Sequence, residues 1–159
     1  MRRAFTLIET LISLAIIGAV AATLGLYGIS VSTARAKAMV TSDVQSNARF
    51  ALDLIQREIR KATSANVPIL VPDRLELDLD VFNIAATVID LDAGGRLRIT
   101  KGASSNYVTA SDVRLTTLRF TDLTDPMSIR ENIKIEMTVG YAGGDPYSYS
   151  IVSTQSVRR

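Results

Sequence analysis

Residues 10–31 read TLISLAIIGAVAATLGLYGISV, a run without a charged side chain. As an α-helix this run is about 33 Å long, enough to cross the roughly 30 Å hydrocarbon core of a bilayer. Arg2 and Arg3 precede the run, and by the positive-inside rule they keep the N-terminus in the cytoplasm. The sequence therefore predicts a single pass through the inner (cytoplasmic) membrane, with the C-terminal part of the chain outside the cytoplasm.

A cleavable secretory signal is the alternative interpretation of this segment. The basic start, the apolar run and the small residues of Ala19-Val20-Ala21 fit such a signal, with cleavage after Ala21. The membrane helix is favoured because the apolar stretch continues to Val31, well past that cleavage point, and because the charged Glu9 lies within the largely apolar segment between Ala4 and Ala34.

Glu9 is the single charged residue between Ala4 and Ala34. A carboxylate within an apolar helix costs about 2.5–3.5 kcal/mol on insertion scales, so it is a functional candidate by default. The alternative is that Glu9 simply lies at the headgroup boundary, close to Phe5.

The segment Arg3-Ala4-Phe5-Thr6-Leu7-Ile8-Glu9-Thr10-Leu11-Ile12 resembles the type IV prepilin signature, in which a short basic leader precedes F-T-L-I-E and an apolar helix. The resemblance implies that a prepilin peptidase cuts between Ala4 and Phe5 and that the new amino group of Phe5 is N-methylated. The family usually has Gly where Ala4 stands, and Ala is the smallest departure from it.

The resemblance also implies how the helix assembles. In the family's filaments the carboxylate at the position of Glu9 pairs with the N-terminal amine of a neighbouring subunit, which offsets much of the cost of burying a lone charge. Gly18 lies where the helices of such filaments often lose helicity. An ordinary membrane-helix glycine that permits close packing is the alternative for Gly18. The implied partners are other pilin or pseudopilin subunits, the prepilin peptidase and the inner membrane.

An amphipathic helix continues beyond the apolar run. Apolar residues at i, i+3 and i+4 spacing form one stripe, which consists of Val44, Ala48, Ala51, Leu52, Ile55, Ile59 and Ala62. Residues 44–60 are similar to the equivalent stretch of minor pilins of the PilW kind and of J-type minor pseudopilins; a generic amphipathic helix is the alternative. We expect one helix over residues 5–63, whose second half packs on a head.

The sequence after the helix predicts a series of short strands. Alternating apolar residues and turn signals predict six strands, at residues 75–81, 87–92, 96–100, 113–121, 133–141 and 147–157. Leu115 and Leu118 break the period of two and indicate a bulge, and residues 93–95 and 143–146 are typical of turns. The predicted fold is α+β: a leader (1–4), a transmembrane and assembly half-helix (5–34), an amphipathic half-helix (35–63) and an antiparallel β-sheet head (64–159).

The composition excludes several classes of function. With 0 His and 0 Cys among 159 residues, His-based triads, thiol nucleophiles, zinc fingers and disulfides are ruled out. Ser and Thr are plentiful but none is paired with a recognisable base, so we predict no enzyme and no cofactor. A net charge of +2 is too small to argue for nucleic acid.

Two groups in the head invite a binding role. Glu76, Asp78 and Asp80 share a strand face at a spacing of about 7 Å, too wide for one strand to chelate calcium. Further carboxylates could converge from loops, namely Asp90, Asp92, Asp122 and Asp125, but a solvated acidic face is favoured and we predict no metal. Tyr141, Tyr147 and Tyr149 could contact DNA, although a cross-strand aromatic cluster is favoured.

Together these features favour a minor pilin or pseudopilin of a type IV pilus, a DNA-uptake filament or a type II secretion pseudopilus. The alternative is a membrane-anchored or secreted extracytoplasmic binding domain with no filament role. A mature protein that begins with N-methyl-Phe5 supports the first hypothesis, whereas one that begins at Ala22 or keeps Met1 supports the second.

Overall fold

A computed structural model describes residues 6–79, 86–125, 127–128, 130–143 and 147–157. One helix, α1 (Leu7–Lys61), precedes a series of strands: β1 (Ser64–Asn66), β2 (Leu75–Asp78), β3 (Thr87–Leu91), β4 (Leu97–Lys101), β5 (Ser104–Tyr107), β6 (Val113–Asp122), β7 (Asn132–Tyr141) and β8 (Ser148–Ser156). The chain divides into two compact units, residues 1–39 and 40–159. The predicted α+β class is confirmed, with a long N-terminal helix and antiparallel sheets.

Helix α1 is continuous, as its sequence predicts. It begins where the N–H groups of Glu9 and Thr10 bond to the carbonyl oxygen of Thr6. Its last turn carries Arg60 and Lys61, whose positive charges interact favourably with the negative end of the helix dipole. Phe5, the expected first residue, lies outside the described residues.

The part of α1 that belongs to the second unit contributes one wall of the core. Six residues of the predicted stripe are buried: Val44, Ala48, Ala51, Ile55, Ile59 and Ala62. Leu52 is only partly buried, against the edge of the same core. Burial of these side chains at about 25 cal/mol per Å² is the main favourable term that holds the helix on the strands.

The head contains two antiparallel sheets where the sequence led us to expect one. The first has the order β1-β2-β3-β4-β5 and the second β6-β7-β8. On the side away from β7, strand β6 donates its Leu115 N–H to Gly95 O and its Phe120 N–H to Pro72 O. Both acceptors lie in loops, so the two sheets meet through loops instead of sharing a strand ladder.

The predicted bulge is confirmed. The register between β6 and β7 shifts between Leu115 and Thr117. The extra residue, Thr116, corrects the alternation of inward-facing and outward-facing side chains. Leu115, Leu118 and Phe120 are therefore all buried on the same side of the strand.

The predicted hairpin at residues 93–95 is also present. Strand β3 pairs with β4 from Thr87↔Lys101 to Leu91↔Leu97. Asp92 accepts bonds from the N–H groups of Gly94 and Arg96 in the turn. Gly95 has a φ of 75°, a conformation that side chains with a Cβ rarely adopt.

Several boundaries differ from the sequence-based expectation. The strand expected at 75–81 ends at Asp78, while Asp80, Val81 and the turn residues 144–146 lie outside the described residues. Strands β1 and β5 were not predicted. All four residues of β5 are exposed, so no apolar alternation marks this strand in the sequence.

Candidate functional site

The first turn of α1 carries the principal candidate residue. Glu9 is exposed there and occupies the end of the helix that favours a negative charge. Its neighbours are apolar and exposed as well, with Leu7 81% and Ile8 68% accessible. Among the described residues nothing buries this carboxylate, and its burial requires lipid or another protein around the helix.

The cleavage residues predicted from the sequence, Ala4 and Phe5, lie outside the described residues. Gly18 lies inside α1, which is helical on both sides of it. A Cβ built on Gly18 would meet no atom within 4 Å. Within the isolated chain nothing in the described structure requires glycine at this position, so any requirement must come from contacts with other molecules.

The helix surface around these residues has the character of a membrane span. Its exposed large apolar side chains include Leu11, Ile12, Leu14, Ile16, Ile17, Val20, Leu24, Leu26, Tyr27 and Ile29. By length and composition this is the one helix among the described residues that could cross a membrane, a test that N-terminal signal sequences also pass.

Two threonine hydroxyls in the apolar run are bonded within the helix. The hydroxyl of Thr10 donates to Leu7 O at 2.8 Å, and that of Thr23 donates to Val20 O at 2.8 Å. A polar group in hydrocarbon must find its partner inside the segment because lipid offers none. These two residues are therefore compatible with a lipid or protein surrounding.

Three carboxylates of the head bind side chains or backbone groups close to them. Asp90 forms a two-bond ion pair with Arg98, and Glu76 pairs with Arg74. Asp92 caps its turn, and the backbone N–H of Arg96 lowers the pKa of the Asp92 carboxyl. Within the described ranges no group of three or more acidic side chains is placed to hold a metal ion.

Glu58 is a buried charge that the sequence analysis missed. It is only 3% exposed on the core side of α1, and its carboxylate accepts bonds from Lys101 at 2.7 Å and Lys61 at 3.2 Å. Burial raises the pKa of this carboxyl, but the two lysines outweigh burial and the net shift is downward. Glu58 has helical spacing from Ala51, Ile55 and Ala62 and so lies on the predicted apolar stripe. That spacing could have predicted its burial from the sequence.

The tyrosines are divided between packing and partial exposure. Tyr141 and Tyr149 pack against the hydrophobic core, while Tyr147 is partly buried. Tyr149 faces Val139 across the β7–β8 pair. This arrangement is typical of cross-strand packing.

Residues 1–25 match the prokaryotic N-terminal methylation motif. The matched range includes Ala4, Phe5, Glu9 and Gly18, and it ends within the apolar run. No curated protein and no solved structure matches the chain. The apolar helix and the motif are consistent with a membrane-anchored pilin. The methylation motif indicates that the chain is a type IV prepilin-like protein.

Proposed function

We propose that this protein is a structural subunit, a minor pilin or pseudopilin, of a type IV pilus or a type II secretion-type filament. In this proposal a prepilin peptidase cuts between Ala4 and Phe5, and Phe5 is then N-methylated. The observation that carries the proposal is the methylation motif over residues 1–25, which leads into an exposed apolar helix with Glu9 in its first turn.

The proposed domain organisation follows the sequence boundaries: a leader (1–4), a membrane and assembly half-helix (5–34), an amphipathic half-helix (35–63) and a β-sheet head (64–159). The proposed topology is a single pass with the N-terminus in the cytoplasm and the head outside it. The position of Arg2 and Arg3 ahead of the uncharged run supports this orientation. After assembly the subunit leaves the inner membrane for the filament.

Assembly occurs through α1 in this proposal. The exposed apolar side chains of the first unit have no partner within the described chain, so neighbouring helices replace lipid around them. Such packing removes Glu9 from water, and a buried charge is tolerated when it is paired. Cleavage before Phe5 creates a free amine in each neighbour, which supplies the matching charge, and Gly18 permits close helix contact.

Intact mass spectrometry of the full-length protein, purified from a host that has a prepilin peptidase, tests the processing step. We expect a chain that lacks Met1–Ala4 and carries one added methyl group on Phe5. Ala4→Gly should be processed like the wild type, whereas Ala4→Leu should keep the leader because its side chain fills a site that accepts Gly or Ala. A mature chain that begins at Ala22, or a wild type that keeps Met1, would contradict the proposal and favour an exported or anchored binding domain.

A further inference from the structure

We propose that two copies of this chain meet head to tail through their heads, with the apolar turn of residues 68–71 on one copy seated in the groove between α1 and strand β5 of the next. The contact extends the proposed function from the helix to the head, and it rests on that function because it needs subunits that are held side by side. The turn follows β1 and the groove borders β5, so the two surfaces lie at opposite edges of the five-stranded sheet.

The apolar turn presents two side chains that the described chain leaves uncovered. Ile69 is 97% exposed and Leu70 is 93% exposed, and they occupy the two corner positions of a turn in which the Val71 N–H donates to Pro68 O. Such corners ordinarily hold Gly, Pro, Asn, Asp or Ser. Two adjacent aliphatic residues gain nothing from the fold there, so their exposure indicates a contact with another molecule.

The turn is held in a fixed position. Pro68 and Pro72 flank its apolar residues, and each proline ring fixes one backbone dihedral angle. The N–H of Phe120 on β6 donates to Pro72 O at 2.8 Å, and the N–H of Arg74 donates to Val71 O at 3.1 Å. Docking of a segment that is already ordered costs little conformational entropy. The turn is therefore suited to act as a rigid projection.

The groove between α1 and β5 has the size and the lining to receive these two side chains. Its volume is about 290 Å³, well above the roughly 150 Å³ of an apolar cavity that binds one benzene molecule. Its apolar lining consists of Phe50 and Leu54 from the helix and of Ile99 and Val108 from the sheet side. Phe50 is largely exposed, so one wall of the groove is apolar surface that the head leaves open.

The charges beside the two surfaces favour a second copy as the occupant. Glu58 in the groove is bonded to both Lys61 and Lys101, so this cluster has one positive charge in excess. Asp73 is the single charged residue within residues 67–73 and follows the turn directly. A second copy therefore brings an apolar projection and a carboxylate to a groove that is apolar and has a surplus cation.

A contact between unlike surfaces also keeps both copies in one orientation. Within the head, α1 passes the groove at Phe50 and Leu54 before it ends at Lys61, and β1 begins at Ser64. A copy displaced along the direction of α1 by roughly 20 Å, the width of a five-stranded sheet, brings its groove edge toward the turn edge of the copy before it. Both helices then point the same way, as subunits anchored in one membrane must. Such a contact repeats without closing and produces a filament.

Disulfide trapping between two co-expressed full-length chains tests the contact, because the native chain has 0 Cys. One chain carries Leu70→Cys and the other Phe50→Cys, in a host that has a prepilin peptidase. A mixed disulfide should form in the membranes, where shared anchoring gives a high local concentration. Each variant expressed alone should give about tenfold less covalent dimer, because like surfaces do not meet and a disulfide needs Cβ atoms within about 4.5 Å of each other.

Arg49→Cys is the matched control for the groove position. Arg49 precedes Phe50 and is exposed as well, but it lies about 100° away around the helix and outside the groove. Paired with Leu70→Cys, it should give about tenfold less mixed disulfide than Phe50→Cys does, because the docked turn does not reach it. Equal yields from the two positions would overturn the proposal.

A charge on the turn separates this contact from association of the membrane helices. Ile69→Lys, added to the chain with Leu70→Cys, places an unpaired cation in an apolar groove that already has one in excess, so the mixed disulfide should fall about tenfold. The residue is exposed, so the head itself should stay folded. Val152→Lys, at an exposed apolar residue of β8, should leave the yield unchanged. Equal yields with Ile69→Lys and Val152→Lys would show that α1 alone brings the chains together and would refute the contact.

The intact mass of the same chains separates failure of this contact from failure of the proposed function. Chains that are cleaved before Phe5 but give no more disulfide than the Arg49→Cys control would overturn the contact alone. Chains that keep residues 1–4 and give no disulfide would overturn both proposals. A disulfide in uncleaved chains would support the contact and contradict the processing step.

Discussion

The Nζ atom of Lys101 lies 2.7 Å from Oε2 of Glu58, and this ion pair joins strand β4 to the buried side of α1. Lys61 contacts the other carboxylate oxygen at 3.2 Å from within the same helix. The side chain of Glu58 is only 4% exposed, so its charge is tolerated because both oxygens are bonded.

Loss of Lys101 should therefore destabilise the head. We expect Lys101→Met to lower the free energy of unfolding by about 1–3 kcal/mol, because it leaves one oxygen of a buried carboxylate without its bond. The matched control is Arg57→Met, which breaks an exposed i,i+4 pair with Asp53 and should cost at most about 0.5 kcal/mol. Urea unfolding of the full chain in detergent, followed by circular dichroism, measures both. Equal losses of unfolding free energy in the two variants would mean that the buried Glu58–Lys101 pair stabilises the head no more than an exposed ion pair does.

The same pair should make stability depend on pH. The pKa of Glu58 is lower in the folded protein than its ordinary value near 4.5, so the unfolded chain takes up this proton more readily. The stabilisation is fully present above the ordinary pKa and is lost as the pH falls through the folded pKa. The difference in unfolding free energy between the wild type and Glu58→Gln should shrink as the pH falls from about 7 to about 3. A difference that stays constant with pH would contradict the ion-pair assignment.

Ile55 tests the stripe of α1 directly. It is 0% exposed, so Ile55→Asp places an unpaired carboxylate in the core and should cost about 3 kcal/mol or more. Phe50 lies on the same helix but is 58% exposed, so Phe50→Asp should be much milder. Thermal unfolding of both variants in detergent compares them. If Ile55→Asp kept the wild-type melting temperature, the stripe would have to face another molecule instead of the strands.

The β3–β4 turn depends on Gly95 for two reasons. Its φ is 75°, and a Cβ at this position would lie 3.0 Å from the backbone oxygen of Leu115. Gly95→Ala should therefore cost roughly 1–3 kcal/mol. Gly94 has no positive φ, and its nearest neighbour is a side-chain atom of Asp92 at 3.2 Å, so Gly94→Ala should cost less. A reversed order of the two losses would contradict the turn geometry.

Local patterns in the sequence predicted much of this fold. The helix and the bulge near Leu115 are marked by the spacing of apolar residues within one segment, and the β3–β4 hairpin is marked by the turn residues 93–95 between two strand segments. The division into two sheets was not predictable in this way, because it depends on which strand β6 pairs with, and periodicity carries no information about partners. Strand β5 was not predicted because all four of its residues are exposed, so no alternation of apolar residues marks it.

The candidate functional residues also divide into those marked by a local pattern and those whose role depends on distant residues. Ala4, Phe5 and Glu9 were predicted from the contiguous motif at residues 3–12, and Gly18 from its place in the apolar helix. All four lie within residues 1–25, which match the methylation motif, and their roles stay predictions. Glu58 was missed because its role depends on Lys101, a residue distant in the sequence.

The role of Glu9 is open to a direct test. Glu9→Gln keeps the size and polarity of the side chain and removes its charge, so membrane insertion and cleavage between Ala4 and Phe5 should be largely unchanged. Incorporation into filaments should fall, because the amine of a neighbouring Phe5 loses its counter-charge in a low-dielectric helix bundle. A subunit at the filament tip has no subunit above it to pair with, and there the loss would be partial.

Recovery in sheared and purified filaments, relative to the amount in the membrane, measures this effect at equal expression. Asp43→Asn is the matched control, because it removes an exposed carboxylate from the same helix outside the apolar run. It should be recovered like the wild type. Equal recovery of Glu9→Gln and the wild type would refute the pairing role, and Glu9 would then be a charge that only marks the headgroup boundary.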